Sequence, residues 1–463
     1  MIQILRRWAE LILSRKSPQD HGERRARGIF RGTAIGLVAR VIEVAVGIVS
    51  VPLTISYLGA ERYGAWITIV STMAFLNFTD FGLAHSLTNA LARADAGGGR
   101  HLGRSYVSST LFMLSSIAVA ILALGTVFAP RLADFLFPTV QSPAAHREIV
   151  VAIALALAIF AFNLPFLIID RVLAAHQESV FGHLWHIAGS IANIAALLAV
   201  IWFRGGLGWL VLGCFGLRWL TSLASAVWLF AFKKPWLRPT LSGIDFSFAR
   251  NLFSDGWKFF VINIGWMVNS QTDNMVIARY LGPAKVTPYA VTFTLFMAAT
   301  LLQTIAYPSL WPAYTEAYAR QDYGWIRRTL RSNFRFSLLT SLVVIVFLTI
   351  FGARIVRLWA GEAAVPSFSV IVWMGIWRLM LSTLLVGSCL LNATGHLKGM
   401  TIYGSATAIL NLILSVLLVK PFGIAGVIAG TVLAFGLANY IPTFLEVGTV
   451  LRKIRVGKQD ARR

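Results

Sequence analysis

The sequence predicts an all-α polytopic membrane protein, with about twelve transmembrane helices in two six-helix lobes related by a parallel pseudo-two-fold repeat. Three observations carry this expectation. Only 13% of the 463 residues are charged and 57% are hydrophobic, whereas soluble domains carry roughly 25% charge. Long apolar runs recur along the whole chain, and short motifs of the first half return in order in the second.

Val150–Ile169 and Met400–Val419 are uncharged runs of transmembrane length, and Phe336–Phe351 comes close. About 20 apolar residues, rising ~1.5 Å each, cross a hydrocarbon layer of about 30 Å. Reading between charged and Gly/Pro-rich breaks places six spans near 32–58, 64–91, 105–128, 148–170, 182–203 and 207–232. Six more fall near 257–281, 286–314, 334–352, 366–390, 400–419 and 422–445. The chain then divides into a basic N-terminus (1–30), a first lobe (31–232), a linker (233–256), a second lobe (257–446) and a basic tail (447–463). In the N-terminus, Ile4, Trp8, Leu11 and Ile12 share one helix face and Arg6, Arg7 and Arg15 the other. That pattern suits a helix lying in the membrane interface better than a cleaved leader.

A net charge of +22 would suggest nucleic acid in a soluble protein. Here the loops explain it. With the N-terminus inside, inward segments collect Arg93, Arg100, Arg104, Lys233, Lys234, Arg238, Arg320, Arg327, Arg328, Arg331, Arg452 and Lys453. Outward loops hold isolated charges such as Arg62, Arg131 and Lys285. Lys and Arg concentrate on the cytoplasmic side, so both termini are expected inside and no nucleic-acid partner is expected. Cys214 and Cys389 lie in apolar segments, without disulfide or metal-ligand spacing. No outward loop is long enough for a catalytic domain, so the chain is expected not to be an enzyme and to need no cofactor or metal.

Tyr57-Leu58-Gly59-Ala60 returns 223 residues later as Tyr280-Leu281-Gly282-Pro283. Leu173-Ala174-Ala175-His176-Gln177 returns 218 residues later as Leu391-Asn392-Ala393-Thr394-Gly395, and Asn193/Asn411 and Gly208/Gly426 keep that offset. Six spans per half start each half on the same side. The repeat axis therefore runs along the membrane normal, and two such bundles enclose a cavity whose access alternates as they rock.

Ionisable residues within spans are costly and mark cavities or partners. Arg218 and Arg378 fall near the middle of their spans, and Arg40 nearer the inner face. Arg40, Glu43, Gly36, Gly47, Ser50 and Thr54 form one polar, small-residue stripe on the first span. On the seventh, Asn263, Trp266, Ser270 and Asp273 share a face, with Gln271, Thr272 and Asn274 beside it. Read functionally, the stripes line the cavity and the arginines hold an anionic group such as a diphosphate, which guanidinium fits in bidentate fashion. Read structurally, Arg40 and Glu43 pair at i, i+3. Asp273 is then either a coupling carboxylate or an arginine partner, and Asp80 an ion pair or cap. Histidine's ordinary range lies near neutral pH, but His85, His183 and His186 suit an interface better than a proton relay. Trp377 beside Arg378 offers a face for sugar stacking.

Tyr57-Leu58-Gly59 and Tyr63-Gly64-Ala65-Trp66, followed by Asp80-Phe81-Gly82-Leu83, resemble the polysaccharide-transport (oligosaccharide flippase, Wzx-type) family of the MATE-like multidrug/oligosaccharidyl-lipid/polysaccharide superfamily. So do Asp273-Asn274, Tyr280-Leu281-Gly282-Pro283, Tyr289, Tyr307-Pro308, Leu391 to His396 and Phe422 to Val427. The resemblance implies a flippase that carries a polyprenyl-diphosphate-linked oligosaccharide from the cytoplasmic to the periplasmic leaflet of a bacterial inner membrane. It would serve O-antigen, capsule or exopolysaccharide assembly. Implied partners are that anionic lipid-linked oligosaccharide, membrane lipids, H⁺ or Na⁺ as coupling ion, and polysaccharide polymerase and export machinery. A cation-coupled multidrug exporter of the same superfamily is the alternative, but it needs an acidic, aromatic cavity. A membrane polymerase or ligase would need a larger outward loop. A scaffold would have no use for mid-membrane arginines.

Overall fold

The computed structural model describes residues 21–80, 82–96, 100–248, 268, 271–299, 310–311 and 313–460. Among these residues the chain is helical throughout, joined by short turns and without strands. Eight runs are long and apolar enough to cross a membrane. Two of them, Ala34–Leu76 and Gly399–Arg452, span 43 and 54 residues, too long for one crossing. The first breaks at Gly59 (φ 76°, ψ 168°) and the second at Gly423 (φ 59°, ψ −140°). Each therefore supplies two crossings. Helical residues 271–281 and Val286–Ala299 belong to the expected seventh and eighth spans, which lie partly outside the described residues. The N-terminal amphipathic segment over 4–15 lies outside them too.

The second and fourth spans depart from the continuous helices expected. The second stops at Leu76, passes through a 3₁₀ turn at Asn77–Asp80 and resumes at Leu83. The cause is local: Asp80 Oδ1 accepts the Gly82 N–H at 3.0 Å, with Gly82 at φ 73°. A short acidic side chain offers the backbone an alternative to the helix, and apolarity alone does not reveal it. The fourth span runs Pro143–Asn163, Leu164–Leu167 (3₁₀) and Ile168–Ala175. Pro165 lacks the N–H that would continue the ladder.

The repeat is visible in the backbone. Gly59 and Gly282 both take positive φ, at 76° and 89°. Gln177 and Gly395 do so as well, at 60° and 78°. Around Gln177, N–H groups of residues 176, 177 and 178 donate to carbonyls 172, 174 and 173; around Gly395 those of 394, 395 and 396 donate to 390, 392 and 391. The same helix-closing pattern thus recurs at an offset of 218, with the residue after the helix left-handed. The Gln177 side chain makes this turn harder to read, because left-handed conformations favour glycine.

Contacts sort the chain into two compact units. One holds Met1–Ser50, Leu76–Leu132 and His146–Phe260; the other holds Val51–Phe75, Ala133–Ala145 and Val261–Arg463. The first is built on Leu83, Leu87 and Leu91, one helix face at i, i+4, packed with Val107, Leu114, Ile168 and Leu173. The second gathers Val51, Ile55, Tyr63, Val291 and Val356 in one cluster and Tyr314, Leu390, Leu391 and Val450 in another. Many other apolar side chains are exposed, among them Val119, Leu339, Val343 and Ile409, as lipid-facing positions require.

Within the first unit the linker is tied to the helix Arg100–Leu136 by three serines of that helix. Ser105 Oγ donates to the Gly243 carbonyl at 2.8 Å, and Ser108 Oγ accepts the Thr240 N–H at 3.1 Å. Ser109 Oγ accepts the Asp245 N–H at 2.9 Å and donates to the Asp245 carbonyl at 3.2 Å. In the linker sequence, Phe246, Phe248, Ala249 and Leu252 suit a short amphipathic helix, and a helix begins there at Phe246, whose ring meets Phe112, while Phe248 meets Tyr106. Ala249 and Leu252 lie outside the described residues.

Candidate functional site

In the second unit, Asp273 is buried at 3% exposure. Its Oδ2 accepts hydrogen bonds from Tyr289 at 2.5 Å and Thr431 at 2.9 Å. Ser415 donates to Asn411 Oδ1 at 2.9 Å, and Thr431 Oγ1 lies 3.0 Å from the same oxygen. Asn411 and Ser415 are fully buried. Gly430 allows this close meeting, since a Cβ there would lie 2.8 Å from the Ser415 nitrogen. The Asn411 side chain also hydrogen-bonds the Asp273 carboxyl, and no ion pair reaches Asp273 among the described residues. A buried carboxylate with no cation is costly. The chemistry of this donor set, one carboxylate with hydroxyl and amide oxygens around it, suits a proton or a small hard cation.

In the same unit Arg378 is buried at 4% exposure in the helix Phe368–Ala393. Its Nη1 donates to Met297 Sδ at 3.0 Å, and its guanidinium lies 5.5 Å from the Trp377 ring centroid. Trp377 is itself buried, with its ring 5.4 Å from Phe293 and its indole N–H without a partner among the described residues. Sulfur and π-faces are soft, weak acceptors for a guanidinium.

The first unit holds a second, more open charged group. Arg40 Nη1 pairs with Glu43 Oε2 at 3.1 Å, and both are solvent-accessible. His186 Nε2 meets Asp170 Oδ2 at 2.9 Å, again partly exposed. The charges of Arg218 and Glu43 both act on His186, and that of Glu43 on His183. Gly36 makes the approach possible, because a Cβ there would lie 2.8 Å from His183 Nε2. Arg218 is exposed at the middle of the helix Leu207–Val227.

The sequence candidates therefore fall into two groups. Arg40, Glu43 and Arg218 belong to the first unit, joined there by Asp170 and His186. Asp273, Arg378 and Trp377 belong to the second, where Gln271 is half-buried and Asn274 Nδ2 donates to Ser71 Oγ at 2.9 Å. Asn263 and Ser270 lie outside the described residues. Asp80 acts in the turn described above. Tyr289, Asn411 and Thr431 were not among the site candidates, although Tyr289 and Asn411 stood out as a motif residue and a repeat position. Asp170 was missed because it ends an apolar run and its partner His186 follows only in the next span.

The sequence profile of the family described as "Polysaccharide biosynthesis protein" matches residues 29–318, more than half of the chain. The chain belongs to this family. A protein of Salmonella typhimurium named "Putative O-antigen transporter" is 28% identical over 189 residues, 39% of this chain and 43% of that one. A protein of Haloferax volcanii named "Probable low-salt glycan biosynthesis flippase Agl15" is 22% identical over 401 residues, 84% of this chain and 78% of that one. The fold is that of MATE transporters. One described as the inward-facing conformation of a multidrug resistance MATE transporter superposes with a TM-score of 0.77, covering 91% of this chain and 99% of that one at 14% identity. Another, titled as outward-facing, gives 0.61 at 14% identity over 93% and 97%.

The motifs that suggested this family do mostly architectural work. Gly59, Gly82, Gly282, Gly395 and Gly423 take positive φ. Gly64 sits against the Pro283 carbonyl so closely that a Cβ would collide with it, and Thr287 Oγ1 donates to the Ala60 carbonyl at 2.6 Å. Gly426 sits as tightly against the Leu418 carbonyl. Among the motif residues, Asp273 and Tyr289 form a buried hydrogen-bonded pair.

Proposed function

We propose that this member of the polysaccharide biosynthesis protein family is a flippase. It moves a polyprenyl-diphosphate-linked oligosaccharide from the cytoplasmic to the periplasmic leaflet of the bacterial inner membrane by alternating access, for O-antigen, capsule or exopolysaccharide assembly. Both termini are taken to be cytoplasmic, from the loop charges. The observation that carries the reading is the placing of an arginine at mid-helix in each unit, Arg218 in Leu207–Val227 and buried Arg378 in Phe368–Ala393. A guanidinium within a span is kept only for a partner or a wet cavity, and a diphosphate is the anion its fork suits. The names of the Salmonella and Haloferax relatives support the same substrate class. Moving negative charge outward across an inside-negative membrane yields ~2.3 kcal/mol per charge per 100 mV, which drives export without ATP.

A cation also has a place in this scheme. The enclosed carboxylate of Asp273 suits H⁺ or Na⁺, released and rebound as the hydroxyls of Tyr289 and Thr431 shift between states. The same feature favours the second reading, a cation-coupled multidrug exporter. The test is complementation. The gene is expressed in a strain lacking its own oligosaccharide flippase and supplied with the matching glycosyltransferases. Restored surface polysaccharide supports the flippase; no rescue, with raised resistance to cationic dyes, supports the exporter. A polymerase acting on the exported product is the expected neighbour in the membrane.

A further inference from the structure

A large groove on the first unit contains no charged residue. It measures about 960 Å³, near the upper end of the ~300–1,000 Å³ of ligand sites. Three helices form it: Pro143–Asn163, Ser179–Trp202 and Leu207–Val227. Its polar side-chain groups are the indole N–H groups of Trp209 and Trp219, and that of Trp219 is already committed to the Phe162 carbonyl at 3.1 Å. That carbonyl is left open because Pro165 follows in the 3₁₀ turn. Phosphates and ions meet no charge here, and the lining suits hydrocarbon.

Glycines shape the floor. At Gly213 a Cβ would lie 3.2 Å from Val200 Cγ2 and 3.4 Å from Ala196 Cβ, so this glycine brings two helices together. At Gly216 the same construction meets nothing within 4 Å. The helix therefore carries an open notch one turn further on. One end of the groove is marked by Phe203 and Trp209, 81% and 64% exposed, beside Trp202. Exposed tryptophans gather where hydrocarbon meets headgroups. From Trp209 to Trp219 the helix rises ~15 Å, about half of a ~30 Å hydrocarbon layer. The groove thus runs from one interface to the bilayer midplane, and its deep end is level with Arg218.

Arg218 lies on the opposite side of that helix. The groove-lining Gly216 and Leu220 are each two residues from it, about 200° around. One helix thus presents a guanidinium on one face and a hydrocarbon notch on the other, at the same depth. A phospholipid keeps its headgroup at the interface, so no phosphate of the ordinary bilayer reaches that level. A lipid whose diphosphate has been drawn to Arg218 must lead its chain away from there.

We propose that this groove seats the polyprenyl chain of the transported lipid while its diphosphate occupies the polar side of the helix. The proposal rests on the flippase reading. It is tested with the full-length protein in phospholipid nanodiscs and a polyprenyl diphosphate carrying a photoactivatable group on its chain. Cross-links are mapped by mass spectrometry, with excess unlabelled polyprenyl phosphate or excess free phospholipid as competitors. We expect labelling within 159–162, 196–203 and 209–220, displaced by polyprenyl phosphate and not by phospholipid. Gly216→Trp, which fills the notch, is expected to cut labelling at least tenfold at unchanged Tm, and Gly216→Leu serves if the larger ring disturbs folding. Equal displacement by phospholipid, or unchanged labelling in both variants, overturns the proposal. A probe retained by the protein but cross-linked elsewhere overturns the groove and leaves the flippase standing. A probe that is not retained at all overturns both.

Discussion

Tyr289 donates its hydroxyl hydrogen to Asp273 across 2.5 Å, and both side chains are almost wholly buried. They lie on successive helical segments that the motif glycine Gly282 separates, so the turn that resembles the family also aims the pair. A hydrogen bond to a charged group is worth ~1.5–3 kcal/mol. Tyr289→Phe is therefore expected to lower Tm in detergent, whereas Asp273→Asn, which keeps the shape and removes the buried charge, is expected to hold or raise it. Transport in complementation should fall at least about tenfold in Asp273→Asn. Full transport in that variant would remove Asp273 from the coupling scheme.

Gly64 and Gly404 make a matched comparison, because both are helical glycines and only one is enclosed. A Cβ at Gly64 would overlap the Pro283 carbonyl, while at Gly404 it would meet nothing within 4 Å. Overpacking costs about 1–3 kcal/mol and at times more. Replacing an unconstrained helical glycine by alanine gains up to ~1 kcal/mol. Gly64→Ala should lower Tm and Gly404→Ala should raise it slightly. Equal shifts would mean that the segments around 64 and 283 do not pack as described.

These contrasts show what the sequence makes legible. The spans were readable because apolar length maps directly onto bilayer thickness. The repeat was readable because Gly59 and Gly282 serve the same left-handed turn. The break at Asp80 was hidden inside an apolar run, since one side-chain hydrogen bond decides it. The partners of Asp273 were hidden for another reason: Thr431 is 158 residues away, and no local pattern marks a hydroxyl that will meet a carboxylate. Asp170 and His186 escaped in the same way, as a pair formed between two helices.

The linker clamp gives a pH prediction outside the membrane. Hydrogen bonds from the Ser247 hydroxyl and backbone N–H hold the Asp245 carboxyl below its usual range. A lowered folded-state value means the contribution is present above the unfolded pKa and is lost as pH falls through the folded one. Amide exchange at 244–248, corrected for its intrinsic pH dependence, should therefore accelerate only below the ordinary carboxylate range. Ser247→Ala should move that onset upward. Ser109→Ala should raise exchange at all pH values, because it removes both bonds to the Asp245 backbone. A flat profile in the parent protein would show that Asp245 does not hold the linker.

Arg378 separates a charge requirement from a geometric one. Lysine retains the charge but loses the planar fork that grips two phosphate oxygens, and with it the stacking on Trp377. If the residue serves only as a positive charge in the cavity, Arg378→Lys should transport nearly as well as the parent. If it grips a diphosphate in bidentate fashion, Arg378→Lys should fall at least about tenfold, close to Arg378→Met. Methionine keeps the contacts with Met297 and Trp377, and its protein level and Tm are measured beside those of the parent. The expected outcome is the second, with Arg218→Lys impaired less because that side chain is exposed and has room to readjust. Surface polysaccharide per unit of membrane-inserted protein is the measurement. Equal transport by Arg378→Lys and the parent would leave the arginine a general attractor of anions and shift the specific grip to other residues.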